Sequence, residues 1–210
     1  MKIITPIRPH NFPEFETLVK KINSRADIIE IWLDQIENLD DFFESLKTYH
    51  SAPPLLATCK TPEEKGLFQG TETEKIEILK KFLNSGGNLV DLDITRNSIK
   101  NIQQIPNEKL ILSFHDFNNL PTNLPKLQEK MCNINPKICK VAITANTKKD
   151  LTKFLNFIKT FPSDQPTIFT TMGKLGQKGR ELIGEKSWGQ FYALDKNSTT
   201  ASGQKTLDNI

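Results

Sequence analysis

The feature that most restricts the fold of this chain is a regular alternation of two kinds of segment along its whole length. Short apolar runs rich in β-branched residues, which have the size of buried strands, alternate with amphipathic stretches about three helical turns long. The eight strand candidates are residues 2–7, 27–33, 55–60, 89–94, 110–115, 140–144, 167–171 and 191–194. The seven helix candidates are residues 12–22, 39–46, 72–83, 99–104, 123–132, 148–161 and 175–183.

This alternation predicts a parallel sheet, because parallel strands are joined by crossover connections that are usually helices. Eight such units without a GxGxxG motif after the first strand favour a single α/β domain over residues 1–210, a closed (β/α)₈ TIM barrel, over a dinucleotide-binding fold. Barrels of this class typically have about 250 residues, so this one is expected to be compact. Only residues 205–210 follow Ser202-Gly203-Gln204, which predicts a short or truncated eighth helix.

The composition argues against several classes of protein. The 28 basic and 25 acidic residues are scattered and leave a net charge of +3, so no nucleic-acid partner is expected. No apolar run approaches the ~20 residues of a membrane span, and residues 1–6 have the pattern of a strand rather than of a secretion signal. Three cysteines without CxxC spacing (Cys59, Cys132 and Cys139) favour reduced thiols and a cytoplasmic location over disulfides or a zinc site.

Ionisable side chains lie near the ends of several predicted strands, and the active site of such a barrel lies at the C-terminal ends of its strands. These residues are Glu30, Asp34, Lys60, Asp91, Asp93, His115, Asp116 and Lys140. An ionisable residue within an apolar strand costs several kcal/mol to desolvate unless it is paired or functional. Their convergence therefore predicts a polar site at one end of the barrel.

Lys140 is the first candidate for chemistry because apolar residues flank it on both sides, which predicts that it points into the barrel. Desolvation and neighbouring cations would lower its pKa and supply the neutral amine that attacks a ketone. The alternative is a lysine at a strand end whose ammonium group extends to solvent.

His115 is the second candidate, as one of three histidines and the only one centred in an apolar strand end. A side chain with a reference pKa of about 6.5 is suited to removing and returning a proton. The alternative is a core histidine whose hydrogen bonds are made by Asp116 or a backbone carbonyl. His10 and His50 are interpreted as surface residues.

Four segments, in order along nearly the whole chain, resemble those of the type I 3-dehydroquinate dehydratase family. Residues 113–117 (Ser-Phe-His-Asp-Phe) are similar to its catalytic-histidine segment, and residues 140–142 (Lys-Val-Ala) to its imine-forming lysine segment. Residues 172–180 resemble its Met-Gly-x-x-Gly-x-x-Ser-Arg segment, with Gly179 in place of the serine. Residues 200–204 (Thr-Ala-Ser-Gly-Gln) resemble its Ser-Ala-Pro-Gly-Gln lid.

The resemblance implies a lyase of the shikimate pathway, and hence of aromatic amino-acid biosynthesis, that dehydrates 3-dehydroquinate to 3-dehydroshikimate without a metal or cofactor. Lys140 would form an imine with the ketone, His115 would move the protons, and Glu64 would orient His115. Arg180 with Thr200 and Gln204 would hold the substrate carboxylate, whereas Glu30 and Lys60 would meet the ring hydroxyls. A homodimer is a further expectation from the family. Residues 197–204 are rich in Ser, Thr and Gly, so this lid segment is expected to be mobile without ligand and ordered with it.

Three positions depart from the family pattern. Trp32 stands at the arginine of Glu-x-Arg-x-Asp, Lys60 replaces a second arginine, and Glu-Gly-Gly has become Glu64-Lys65-Gly66. Losing one guanidinium predicts weaker substrate binding, and Trp32→Arg is then expected to raise kcat/KM about tenfold. Two alternatives stay open: another imine-forming barrel acting on a keto acid, and a catalytically impaired barrel kept as a binding module.

Overall fold

A computed structural model describes residues 1–50, 53–201 and 203–209 of the chain. These residues form eight strands: β1 Lys2–Ile7, β2 Ile28–Trp32, β3 Leu55–Thr58, β4 Leu89–Asp93, β5 Leu110–Asp116, β6 Ile138–Thr144, β7 Thr167–Met172 and β8 Gly189–Phe191. They make one parallel sheet in the order β7-β6-β5-β4-β3-β2-β1-β8. Between β7 and β8, the first and last strands of this order, the backbone N–H of Trp188 donates to the carbonyl of Thr167 at 2.9 Å. The sheet therefore curls into a nearly closed barrel, and the predicted TIM-barrel class is confirmed.

In the described part of the chain seven α-helices lie between the strands: α1 Phe12–Ile22, α2 Leu39–Lys47, α3 Glu72–Asn84, α4 Ile99–Ile102, α5 Leu124–Ile134, α6 Lys148–Ile158 and α7 Gly176–Ile183. Local sequence sets where several of them begin, since Asn11 caps α1 and Thr71 forms a capping box with Glu74 at the start of α3. After β8 the described chain forms one 3-10 turn, Leu207–Asn209, which confirms the short eighth helix. No helix among the described residues has the length and hydropathy needed to cross a membrane.

The core between the helices and the outer face of the barrel is apolar and rich in aromatic residues. Its largest fully buried side chains include Phe15, Phe42, Phe82 and Phe154, all of which belong to helices. Burying a side chain of this size stabilises the fold by about 1.5–3 kcal/mol. The amphipathic faces read from the sequence thus hold the helices against the sheet.

Two sets of side chains, one residue from each strand or its end, fill the barrel interior. The first, called here the inner apolar ring, is a buried cluster of Ile4, Ile28, Leu56, Leu89, Ile111, Ile138, Ile168 and Phe191. Because alternate residues of a strand face the same side, the residues two positions later face the interior as well. These form the inner polar ring: Pro6, Glu30, Thr58, Asp91, Ser113, Lys140, Thr170 and Ala193. The inner polar ring lies nearer the C-terminal ends of the strands, where the site was predicted.

Several predicted strand boundaries were wrong by one to three residues. The last strand is Gly189–Phe191 rather than residues 191–194, because Gly189 and Gln190 pair with Lys2 and Ile3 of β1 although neither residue type favours strands. β6 begins at Ile138, two residues earlier than predicted, so Lys140 is its third residue.

Candidate active site

Lys140 lies at the centre of the barrel interior, among acidic and aromatic side chains. Its side chain points inward because Ile138, two residues earlier, belongs to the inner apolar ring. The residue is 5% exposed, and its Nζ lies 2.7 Å from Asp91 Oδ2 and 3.8 Å from Glu30 Oε1. The same Nζ lies 4.3 Å from the centroid of the Phe191 ring. This rules out the alternative in which the ammonium group extends to solvent.

The expected lowering of the Lys140 pKa was wrong. Burial disfavours the ammonium form, but the carboxylates of Asp91 and Glu30 outweigh it and raise the pKa of Lys140 above its usual value. The same attraction, with that of Lys60, outweighs burial of Asp91 and holds the pKa of Asp91 well below its usual range. Ser113 also donates its hydroxyl hydrogen to Asp91. In the unliganded protein the pair is therefore an ammonium and a carboxylate.

His115 is held by a carboxylate from the neighbouring strand. Its Nδ1 lies 3.0 Å from Asp93 Oδ2, and its backbone N–H donates to the same oxygen at 2.9 Å. The ring stacks on Phe117, with centroids 5.8 Å apart and an interplanar angle of 9°. Burial of a side chain only 9% exposed lowers the pKa of His115, and the cations Lys140 and Lys60 add to this, while the hydrogen bond to Asp93 opposes it. The imidazole is therefore neutral at pH 7 and available as a base.

Glu64 does not orient His115 as the resemblance implied. Its Oε2 accepts from the backbone N–H of Thr61 at 3.2 Å, as part of a capping box, and lies 3.3 Å from Lys75 Nζ. The local turn directs the carboxylate back to its own N-terminus, where a buried lysine of α3 neutralises it. Asp93 has the position at His115 that the sequence assigned to Glu64.

Arg180 and Gln204 present hydrogen-bond donors that are buried and unused. Arg180 is 4% exposed; its Nε donates to the Thr171 carbonyl at 3.1 Å, and burial lowers its pKa to about 10, so it stays charged at neutral pH. Gln204 Oε1 accepts from both the backbone N–H and the hydroxyl of Thr200, at 2.7 and 3.1 Å. Among the described residues no acceptor meets Arg180 Nη1 or Gln204 Nε2. Because buried donors are normally satisfied, this corner is suited to an anionic acceptor such as a carboxylate.

Gly179, at the position of the family's serine, lies too close to β7 to carry a side chain. A Cβ added to Gly179 would lie 2.2 Å from Thr171 Oγ1, so a serine does not fit against β7 in this arrangement. Ser202 of the lid-like segment lies outside the described residues.

Trp32 covers the acidic side of the cavity. Its indole Nε1 donates to Glu30 Oε2 at 3.0 Å, while Glu30 Oε1 is buried without a hydrogen-bond partner in the described part of the chain. Lys60 Nζ lies 5.4 Å from the centroid of the Trp32 ring. Trp32 thus lines the same cavity as Glu30, as expected for residues two apart on one strand.

One cavity brings together all the residues selected from the sequence: Glu30, Lys60, Glu64, His115, Lys140, Arg180, Thr200 and Gln204. The sequence reading gave no role to Asp91 and Asp93, although both were noted at the end of their strand. The signal for them was the inward alternation Leu89-Asp91-Asp93, which places both carboxylates on the face that carries the inner apolar ring.

A parallel barrel with a buried lysine and a carboxylate-bound histidine at the C-terminal ends of its strands has the arrangement of lysine-dependent barrel enzymes. The sequence model of the type I 3-dehydroquinase family matches residues 3–210, and the chain belongs to this family.

Curated relatives and solved structures agree with this assignment. The chain is 30% identical over 221 residues to a 3-dehydroquinate dehydratase of Streptococcus thermophilus, covering 99% of this chain and 94% of that protein. It is 31% identical over 206 residues to one of Dehalococcoides mccartyi, covering 93% and 87%. The fold matches the crystal structure of a type I 3-dehydroquinate dehydratase of Clostridium difficile with a TM-score of 0.84 at 23% identity, covering 99% of this chain and 88% of that one.

Proposed function

We propose that this protein dehydrates 3-dehydroquinate to 3-dehydroshikimate, in the shikimate pathway, through an imine formed on Lys140. The observation that carries the proposal is a buried lysine and a neutral, carboxylate-bound histidine facing one cavity in a chain of the type I 3-dehydroquinase family. Family membership also favours this reaction over the two alternatives, another imine-forming barrel acting on a keto acid and an impaired barrel kept as a binding module.

The substrate carboxylate is assigned to the corner formed by Arg180, Thr200 and Gln204. Arg180 Nη1 and Gln204 Nε2 are the unused buried donors there, and a carboxylate accepts from both. A guanidinium beside a carboxylate also gives a charge-assisted hydrogen bond, which is stronger than a neutral one. Binding at this corner fixes the orientation of the ring in the barrel.

The imine forms after Lys140 gives up the proton that Asp91 and Glu30 help it to hold. The free amine attacks the ketone carbon to give a carbinolamine. The proton that Lys140 released then adds to the carbinolamine hydroxyl, which leaves as water, and a protonated imine remains. Its positive charge lies where the ammonium charge was, so the carboxylates that raise the lysine pKa also stabilise this intermediate.

His115 then makes two proton transfers. The neutral imidazole removes a proton from the carbon beside the imine, and the electron pair passes into the iminium to give an enamine. The enamine expels the β-hydroxyl, which leaves as water after the imidazolium protonates it. Asp93, 3.0 Å from Nδ1, fixes the ring orientation and stabilises the imidazolium between these steps. Hydrolysis of the imine releases the product and restores Lys140.

The reaction is tested by following the product, whose conjugated enone absorbs in the ultraviolet where the substrate does not. The wild-type chain is expected to produce this absorbance on mixing with 3-dehydroquinate, without added metal or cofactor. The matched control is Lys140→Met, checked for folding by circular dichroism, which is expected to be inactive. Absence of product from the folded wild-type chain would contradict the proposed function.

A homodimer and a cytoplasmic location stay predictions from the family and from the reduced cysteines. Sedimentation equilibrium of the purified chain distinguishes a 23.9 kDa monomer from a dimer.

A further inference from the structure

Arg8 follows β1 directly and contacts Trp32, a residue that lines the cavity. Ile4 belongs to the inner apolar ring and Pro6 to the inner polar ring, so the alternation of β1 places Arg8 on the inward face. Pro9 follows it, and a residue before proline is restricted to extended backbone. Both effects carry the strand direction through Arg8 and hold its side chain at the level of Trp32, which follows Ile31, the partner of Ile7.

The guanidinium of Arg8 rests on the indole of Trp32. Its Cζ lies 4.2 Å from the centroid of the indole ring, within the range of a cation–π contact. The indole is a platform for the guanidinium, and its orientation is fixed by the 3.0 Å hydrogen bond from Trp32 Nε1 to Glu30 Oε2. The indole therefore orders an arginine that is otherwise exposed to solvent.

Glu30 and Trp32 leave the substrate no free hydrogen-bond donor of their own on this side of the cavity. Glu30 can only accept when ionised, and Trp32 already gives its indole N–H to Glu30. A ring hydroxyl that donates to Glu30 still needs donors for its own lone pairs. In residues 1–50, 53–201 and 203–209, neither the Arg8 guanidinium nor Lys60 Nζ has a hydrogen-bond acceptor or a carboxylate partner; their contacts are with the Trp32 ring.

We propose that Arg8 is a further substrate-binding residue, whose guanidinium, held on Trp32, donates hydrogen bonds to the ring hydroxyls of the substrate beside Glu30. This inference rests on the proposed function for the identity of the substrate. It reverses the expectation for Trp32→Arg: Trp32 is the platform of a guanidinium supplied by β1, so replacing it removes the contact with Arg8 and the bond to Glu30. The Trp32→Arg variant is then no better than the wild type.

The test compares Arg8→Ala, Arg8→Lys and the wild type in steady-state dehydration of 3-dehydroquinate. Arg8→Ala is expected to raise KM about tenfold, the loss of one charge-assisted hydrogen bond, with kcat unchanged because Lys140 and His115 are untouched. Arg8→Lys regains part of the affinity, since an ammonium donates but lacks the planar fork. The matched control is Arg25→Ala, which removes an exposed guanidinium paired with Asp208. Arg25 precedes β2 and therefore lies at the end of the barrel opposite to the site. The KM of this variant is expected to equal that of the wild type.

Calorimetric titration with quinate, which has the hydroxyls and carboxylate but no ketone, separates this inference from the proposed function. Weaker quinate binding by Arg8→Ala than by Arg25→Ala, at equal melting temperatures, supports the role of Arg8 even in a chain without turnover. An Arg8→Ala protein with wild-type KM and wild-type quinate affinity overturns the inference and leaves the dehydratase assignment standing. A wild-type chain that neither turns over 3-dehydroquinate nor binds quinate overturns both.

Discussion

The inner apolar ring and the inner polar ring come from the same eight strands, displaced by two residues, and both face the barrel interior. The apolar ring has no charged member and packs as a core. The polar ring contains Glu30, Asp91 and Lys140, each buried, which a folded protein tolerates only when the charges are compensated. On each strand, the residue that stabilises the barrel therefore lies only two positions before the residue that faces the site.

The two rings also differ in how they contribute to the free energy of unfolding. Each side chain of the apolar ring stabilises the folded state in proportion to the apolar surface area that it buries. A buried ion pair such as Lys140–Asp91 gives little net stability because desolvation offsets the attraction, yet removing one partner leaves the other charge unpaired. Substitutions in the two rings should accordingly have different signatures.

The largest effect is expected for Lys140→Met in the polar ring. Turnover is expected to fall by at least about 10³-fold because the covalent route is lost, and stability by about 3–5 kcal/mol because Asp91 is left unpaired. Adding Asp91→Asn should restore most of the stability and none of the activity; urea unfolding and the enone assay measure both. A Lys140→Met variant as stable as the wild type would show that leaving Asp91 unpaired has no cost in unfolding free energy.

His115→Gln is expected to lower kcat by about 10²–10⁴-fold, the range for a general acid–base residue. Imine formation with Lys140 should survive, because His115 makes no bond to the lysine. Borohydride trapping followed by mass measurement separates the two steps. An adduct lost in parallel with kcat would place His115 in imine formation instead.

Ile111→Ala in the apolar ring is expected to have the opposite signature. Truncating a fully buried isoleucine should cost about 2–5 kcal/mol of unfolding free energy, with kcat/KM of the folded protein close to that of the wild type. Urea unfolding and kinetics well below the melting temperature measure the two quantities. A comparable loss of kcat/KM in the folded variant would show that the two rings are not separable.

The smallest effect concerns the acid limb of the pH profile. His115 must be neutral to act as a base, and burial lowers its pKa below 6.5. At saturating substrate, where Lys140 is already in the imine, kcat should therefore stay constant as pH falls through 6.5 and decline only below the lowered pKa. Asp93→Asn removes the group that opposes this lowering, which should move the limb to still lower pH. A limb above pH 6.5 would contradict the assignment of His115 as the neutral base.

Much of the fold was predictable because strand alternation and helical spacing are local properties of the sequence. α1 and β1 begin and end where the pattern placed them. The last strand could not be predicted in this way, because Gly189 and Gln190 become a strand only through pairing with β1. Tertiary contacts decide such segments, and the local sequence does not record them.

The membership of the site was predictable for a similar reason, since the C-terminal ends of parallel strands converge. The charge state of Lys140 could not be predicted. The direction of its pKa shift depends on Asp91, which is 49 residues away in sequence but lies 2.7 Å from Lys140 Nζ. The partner of His115 was also mistaken, since the turn at Thr61 directs Glu64 away and Asp93 lies within hydrogen-bond distance. Distances of a few ångströms decide both, and spacing along the chain does not give them.

The most direct test of the central claim, that Lys140 of the polar ring forms the imine, is reduction with borohydride in the presence of 3-dehydroquinate followed by peptide mass mapping. One added ligand mass is expected, on the peptide that contains Lys140, and none in Lys140→Met. Lys60 lines the same cavity and is the internal control. No adduct on the wild-type chain, or an adduct on Lys60 with Lys140 unmodified, would contradict the account.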